Sequence, residues 1–306
     1  MMRGEAPGTR RRRPGPWWWL VRITLALAVA LIAVVAIDAW RGGVTAIWLR
    51  YVGAAAYGAP GERVEIAEGH ALYLDCRGGG SPTLVLDAGM SSDSATWSPI
   101  HDELARMTRT CAYDRTGRGR SDPGSAGDLA GMSTELRALL AAAGEAPPYV
   151  VVGHSFGAVT GRVFAAEAGD DVVGLVLVDG FDPDIFDERI VPLLGPLRDE
   201  YLTETADTWR MIASVEAIDV ERSREQLAAA DVSGRWIEAI IAPRVDSRLD
   251  GATNDAILAS VAAGYEALSP GRVTFTPAWG SSHMVQFERP EVILDAVRRI
   301  LAEVRG

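Results

Sequence analysis

Ser155 sits in the run VVVGHSFGAVTGRVF (residues 150–164), with Gly153 two positions before it and Gly157 two positions after. Three valines lead into this block, and a helical pattern of Ala, Val, Thr, Arg, Val and Phe leads out of it. A strand that turns abruptly into a helix lifts one side chain clear of a sheet, and the strained turn accepts only small neighbours. The hydroxyl then faces the free N–H groups at the helix start, which favour negative charge. That arrangement suits attack on a carbonyl, with the Phe156 N–H as one donor to the oxyanion. The plainer alternative is a serine that only caps the helix, but a cap does not require the two glycines.

A neutral serine needs a base within hydrogen-bond reach. The sequence holds four histidines, His70, His101, His154 and His283. His154 adjoins Ser155, so its side chain is expected to point away from the hydroxyl. His70 falls in a predicted hairpin and His101 in a helix after Trp97, where a structural role is the simpler reading. His283 follows a predicted strand, in a Gly/Ser-rich loop C-terminal to the serine.

Composition removes several other chemistries. All 30 basic residues are Arg, so a lysine Schiff base or a phosphate-loop lysine is excluded. Cys76 and Cys111 are the only thiols, too few for a zinc-finger-like cluster, and no metal or cofactor is expected. The net charge is −11, yet residues 1–50 carry eight Arg against Glu5 and Asp38. The acidic remainder argues against a nucleic-acid partner.

The chain starts with an Arg-rich segment, 1–16, followed by WWWLVRITLALAVALIAVVAIDAW at 17–40. This stretch is long enough to span a bilayer, with tryptophans suited to the interface and Arg22 near one end. The Arg cluster should stay cytoplasmic, placing the remainder across the membrane. A cleaved signal peptide is the competing reading, and a buried core helix a third. Residues 41–62 read as a juxtamembrane linker and 63–306 as the main domain.

Within that domain, EIAEGHALYLDC predicts a hairpin turning at Glu68-Gly69. TLVLDAG, TRTCAYDR, YVVVG, GLVLVDG, WIEAIIAP and VTFTPAW predict strands, mostly buried on both faces. Helical patterns alternate with them, which implies a doubly wound, mostly parallel α/β sheet. Residues 181–235 break the rhythm and read as an inserted helical cap.

Three blocks together resemble the α/β-hydrolase superfamily, in its small esterase, lipase and peptidase branch. GHSFG resembles the nucleophile elbow. LVLDAGMSSDSATW with AYDRTGRGRSDP resembles the loop after the third strand and the Gly-rich turn after the fourth. GSSHMVQFERPEV resembles the closing histidine block. The resemblance implies Ser155 as nucleophile, His283 as base, and the Met90 N–H as the second oxyanion donor beside Phe156. Asp87-Ala88-Gly89-Met90 departs from the His-Gly pair of many members, which leaves the backbone donor but not a histidine side chain. The acid is expected after the penultimate strand, at Asp246, with Asp250 and Asp255 nearby and Asp179 as the other position that members use. The fold also makes the strands of Cys76 and Cys111 neighbours, within disulfide reach, with two buried free thiols as the alternative.

The implied activity is a membrane-anchored serine hydrolase acting on a small-molecule ester or amide. A catalytically silent binding module of the same fold, or cofactor-free C–C or oxidative chemistry on the same triad, are the alternatives. Serine at the elbow argues against dehalogenase or epoxide-hydrolase chemistry, which uses a carboxylate there.

Overall fold

The computed structural model describes residues 60–180, 189–244 and 246–306. The expected membrane span at 17–40 lies outside these residues. Among the described residues no helix is long and apolar enough to cross a membrane.

Eight strands form one sheet: β1 (Glu62–Ala67), β2 (His70–Arg77), β3 (Thr83–Asp87), β4 (Thr110–Tyr113), β5 (Tyr149–His154), β6 (Val172–Val178), β7 (Trp236–Ile241) and β8 (Val273–Pro277). Their order is β1-β2-β4-β3-β5-β6-β7-β8. The β1–β2 and β2–β4 pairs are antiparallel, and the rest are parallel. Period-two alternation serves both faces. Val85, Val151, Leu175 and Leu177 enter one core, whereas Leu84, Leu86, Val150, Val152, Val176 and Val178 enter the other. Such strands need apolar residues at every position, which explains their uninterrupted hydrophobic runs.

Helices α1 (His101–Ala105), α2 (Leu129–Ala142) and α3 (Phe156–Ala168) follow β3, β4 and β5. Helix α2 is started by Asp128, whose carboxylate accepts from the Gly131 N–H at 2.8 Å. Between β6 and β7 lie α4 (Arg198–Glu216) and α5 (Val220–Ala228). From this region Trp209, Ile212, Ile218 and Leu227 pack on Leu129, Met132, Phe156, Val159 and Val163 of α2 and α3. The cap is thus fastened over the helix that begins at Ser155. Helices α6 (Gly251–Leu268), α7 (Val285–Glu288) and α8 (Pro290–Arg305) complete the chain. Helix α8 carries Ile293, Ala296, Val297 and Ile300 into the core against β6 and β7.

Cys76 and Cys111 face each other across the β2–β4 ladder and are joined in a disulfide. The bond closes a loop with a sequence separation of 35 residues. A loop of that length gives about 3–4 kcal/mol through restriction of the unfolded chain. Reduced and alkylated protein, or the Cys76→Ala/Cys111→Ala variant, is expected to unfold at clearly lower urea. An unchanged midpoint, or an unchanged alkylation count with and without reductant, contradicts the crosslink.

Candidate active site

The C-terminal ends of β3, β5 and β6 converge on Ser155. Strand β5 ends at His154, and Ser155 adopts φ +54 and ψ −118, a region that non-glycine residues avoid. It occupies the N-cap position of α3, yet its side chain makes no capping hydrogen bond. Strain held without capping indicates a hydroxyl presented for another purpose. The glycines on either side are required by close backbone approach. A Cβ on Gly153 would lie 2.2 Å from the Gly157 carbonyl oxygen, and one on Gly157 would lie 2.3 Å from that of Asp87.

Two backbone N–H groups near this elbow are candidate donors. As the first residue of α3, Phe156 has no intrahelical acceptor for its N–H. Met90 follows Gly89, whose own Cβ position lies 3.3 Å from the Cβ of Ser155. Among the described residues neither N–H is engaged in a hydrogen bond.

His283 lies in the loop between β8 and α7, and its Nδ1–H donates to Asp179 Oδ2 at 2.7 Å. In the neutral ring this bond leaves Nε2 as the acceptor nitrogen. Asp179 directly follows β6 at φ +44, another strained position at the sheet edge facing the elbow. Its N–H donates to the Ile240 carbonyl at 2.7 Å, and its Oδ1 accepts from the Ala242 N–H at 2.9 Å. The carboxylate is therefore fixed from both ends, as an imidazole-orienting acid must be.

The expectation that Asp246 meets the histidine is corrected. Its carboxylate forks onto Arg248, with Nε and Nη2 at 3.0 and 2.6 Å from its two oxygens, and this pairing holds it down at about 2. Asp246 lies beyond the end of β7 and is committed to Arg248, whereas Asp179 leaves the strand next to that of the serine. Asp250 accepts from the Thr253 N–H at 2.7 Å and caps α6, and Asp255 is exposed on that helix.

The other histidines have different work. His101 is buried with Nε2 3.2 Å from the Thr110 carbonyl. His70 Nε2 lies 3.0 Å from Thr116 Oγ1. The role of His154 was not legible in the sequence. Its Nε2–H donates to the His283 carbonyl at 2.8 Å, and the two rings lie 4.7 Å apart. The residue before the serine thus props the loop that carries His283.

His154 is held neutral. Burial pushes it down to about 4, aided by the nearby His283 ring and opposed by its bond to the His283 carbonyl and by Asp179. In the unfolded chain the same ring titrates near about 6.5. Between those values the unfolded state binds a proton that the native ring refuses, so stability falls as pH drops. The full contribution is present above about pH 6.5, and on the order of 3 kcal/mol is lost by about pH 4. His154→Gln, which keeps an N–H for the carbonyl but cannot titrate, is expected to lose less stability than wild type between about pH 7 and about pH 4.5. Equal losses by urea unfolding contradict the assignment.

The strand order, the strained elbow and the Asp179–His283 pair are the features of an α/β-hydrolase fold. The model of the alpha/beta hydrolase family matches residues 78–296, and the chain belongs to that family. An uncharacterised Bacillus subtilis protein, YqjL, is 36% identical over 120 residues, covering 39% of this chain and 47% of its own length. The chain thus spans less than half of that relative. A Thermogutta terrifontis esterase superposes with a TM-score of 0.52 at 19% identity, covering 81% of this chain and all of that one. The haloalkane dehalogenase DatA of Agrobacterium tumefaciens superposes with a TM-score of 0.55 at 17% identity, covering 82% of this chain and 99% of that one. These likenesses establish the fold.

Proposed function

We propose that this protein is a serine hydrolase that cleaves an ester or amide bond of a small molecule through an acyl-enzyme. The observation that carries the reading is the bond of 2.7 Å between Asp179 and His283, placed beside a serine held at φ +54 without a capping role. The fold alone hosts several chemistries. The hydroxyl at the elbow, where alkyl-ester chemistry needs a carboxylate, favours acyl transfer.

In this reading His283 Nε2 takes the Ser155 proton as Oγ bonds to the substrate carbonyl carbon. The carbonyl electron pair moves to oxygen, where the Met90 and Phe156 N–H groups receive it. The imidazolium, steadied by Asp179, gives its proton to the departing alcohol or amine as the scissile bond breaks. Water then attacks the acyl-enzyme with His283 again as base. It releases the acid and restores the Ser155 hydroxyl.

We further propose that residues 17–40 anchor the chain and that the hydrolase domain lies outside the cytoplasm. The Arg-rich segment before the apolar run supports this orientation. The Cys76–Cys111 disulfide is also at home in an oxidising compartment.

Hydrolysis of p-nitrophenyl esters of graded chain length tests the reading. Turnover of short or medium acyl chains is expected. A preference for long chains overturns the chain-length expectation, and no hydrolysis of any ester or anilide by folded protein overturns the hydrolase reading.

A further inference from the structure

A buried ion cluster joins the cap to the loop after β3. Arg115 donates through Nη1 to Asp87 Oδ1 and to the Ala88 carbonyl, both at 2.6 Å. Through Nη2 it donates to the Gly89 carbonyl at 2.8 Å and to Glu216 Oε1 at 3.1 Å. The same Glu216 oxygen accepts from the Ser91 N–H at 2.9 Å. Arg115 also lies over the Phe156 ring, 5.3 Å from its centroid. Both charged groups are nearly inaccessible, each with a relative exposure of 4%.

Glu216 is the last residue of α4, where a carboxylate opposes the helix dipole. Burial raises the cost further. The cluster offsets both, since Arg115 and the Ser91 N–H hold the carboxyl below its usual range against the upward push of burial. Arg118 adds a second cation at 3.4 Å from the other oxygen and donates to the Val215 carbonyl.

The consequence lies in the peptide planes. In a trans peptide the carbonyl of one residue and the N–H of the next point to opposite sides. Arg115 draws the Gly89 carbonyl toward the cluster, so the Met90 N–H is turned away from it. Glu216 fixes the following N–H, that of Ser91, at φ +59. The loop is thus pinned immediately before and after Met90. We propose that Glu216 is a positioning residue of the oxyanion hole, by which the seated cap aims the Met90 N–H at the elbow through Ser91 and Arg115.

This inference rests on the serine-hydrolase reading for its kinetic consequence but not for its structural one. In the full-length protein, Glu216→Ala is expected to lower kcat about tenfold to a hundredfold with KM little changed. That is the signature of an interaction made in the transition state. Glu216→Gln, which keeps an acceptor for the Ser91 N–H, is expected to recover much of the loss. Arg222→Ala cuts the cap-to-core pair between Arg222 and Asp128, 2.8 Å apart and remote from the loop, and is expected to keep wild-type kcat. Equal loss in Glu216→Ala and Arg222→Ala, or wild-type kcat in Glu216→Ala, overturns the proposal. Amide hydrogen exchange supplies the activity-independent arm. Exchange across residues 88–92 is expected to quicken in Glu216→Ala and not in Arg222→Ala, and unchanged exchange there overturns the proposal whether or not wild type turns over esters. An inert wild type with the expected exchange pattern counts against the hydrolase reading and leaves the positioning of the loop supported.

Discussion

Ser155→Ala is expected to lower turnover of the ester substrates by at least about 10⁴-fold with no comparable loss of stability. The expectation follows from the separation of roles at the elbow. The hydroxyl caps nothing, so its removal leaves no buried group unsatisfied. Alanine keeps the Cβ and inherits the same backbone strain at φ +54. All that is lost is the atom that bonds to the substrate carbonyl. Substrate still meets the unaltered cap and donor groups, so binding survives while kcat collapses. A residual rate within about tenfold of wild type means that another nucleophile, or no covalent step, carries the reaction.

Asp179→Asn is expected to lower kcat by about 10⁴-fold, and Asp246→Asn to leave it unchanged. The amide introduced by Asp179→Asn keeps an oxygen for the Ala242 N–H but presents an NH₂ group to His283 Nδ1. The imidazole must then accept there and carry its proton on Nε2, which removes the base that Ser155 needs. Asp246 pairs with Arg248 on the surface, where solvent screens the pair and leaves it little energetic weight. Steady-state kinetics on both variants decides between the two aspartates. A large loss in Asp246→Asn with an active Asp179→Asn reverses the assignment.

What the sequence revealed follows from the range of the interactions involved. The elbow is local: a strand, two glycines at positions where a Cβ would fall 2.2 and 2.3 Å from a carbonyl oxygen, and a helix start, all within one short block. The strands were legible because burial on both faces demands apolar residues at every position. Three features depend on contacts between distant segments: the first was left open between Asp246 and Asp179, and the other two escaped. The acid at His283 is set by which strand end the histidine loop reaches, a pairing 104 residues apart, and two aspartates satisfy the local pattern equally well. A sequence signal was present, since Asp179 directly ends GLVLVD, the strand after that of the serine. The His154 prop spans 129 residues, and the Arg115–Glu216 pair spans 101. Glu216 carries no sequence signal of its own; in α4 it reads as one more acid of a charged helix, and only its burial against two arginines reveals it.

The most direct test of the central claim is reaction of the folded, full-length protein with a fluorophosphonate probe, followed by peptide mapping. One adduct per chain on Ser155, formed at a rate that falls sharply in Asp179→Asn and absent in Ser155→Ala, is the result this structure predicts. A folded protein that takes no adduct, or takes it at another residue, contradicts it.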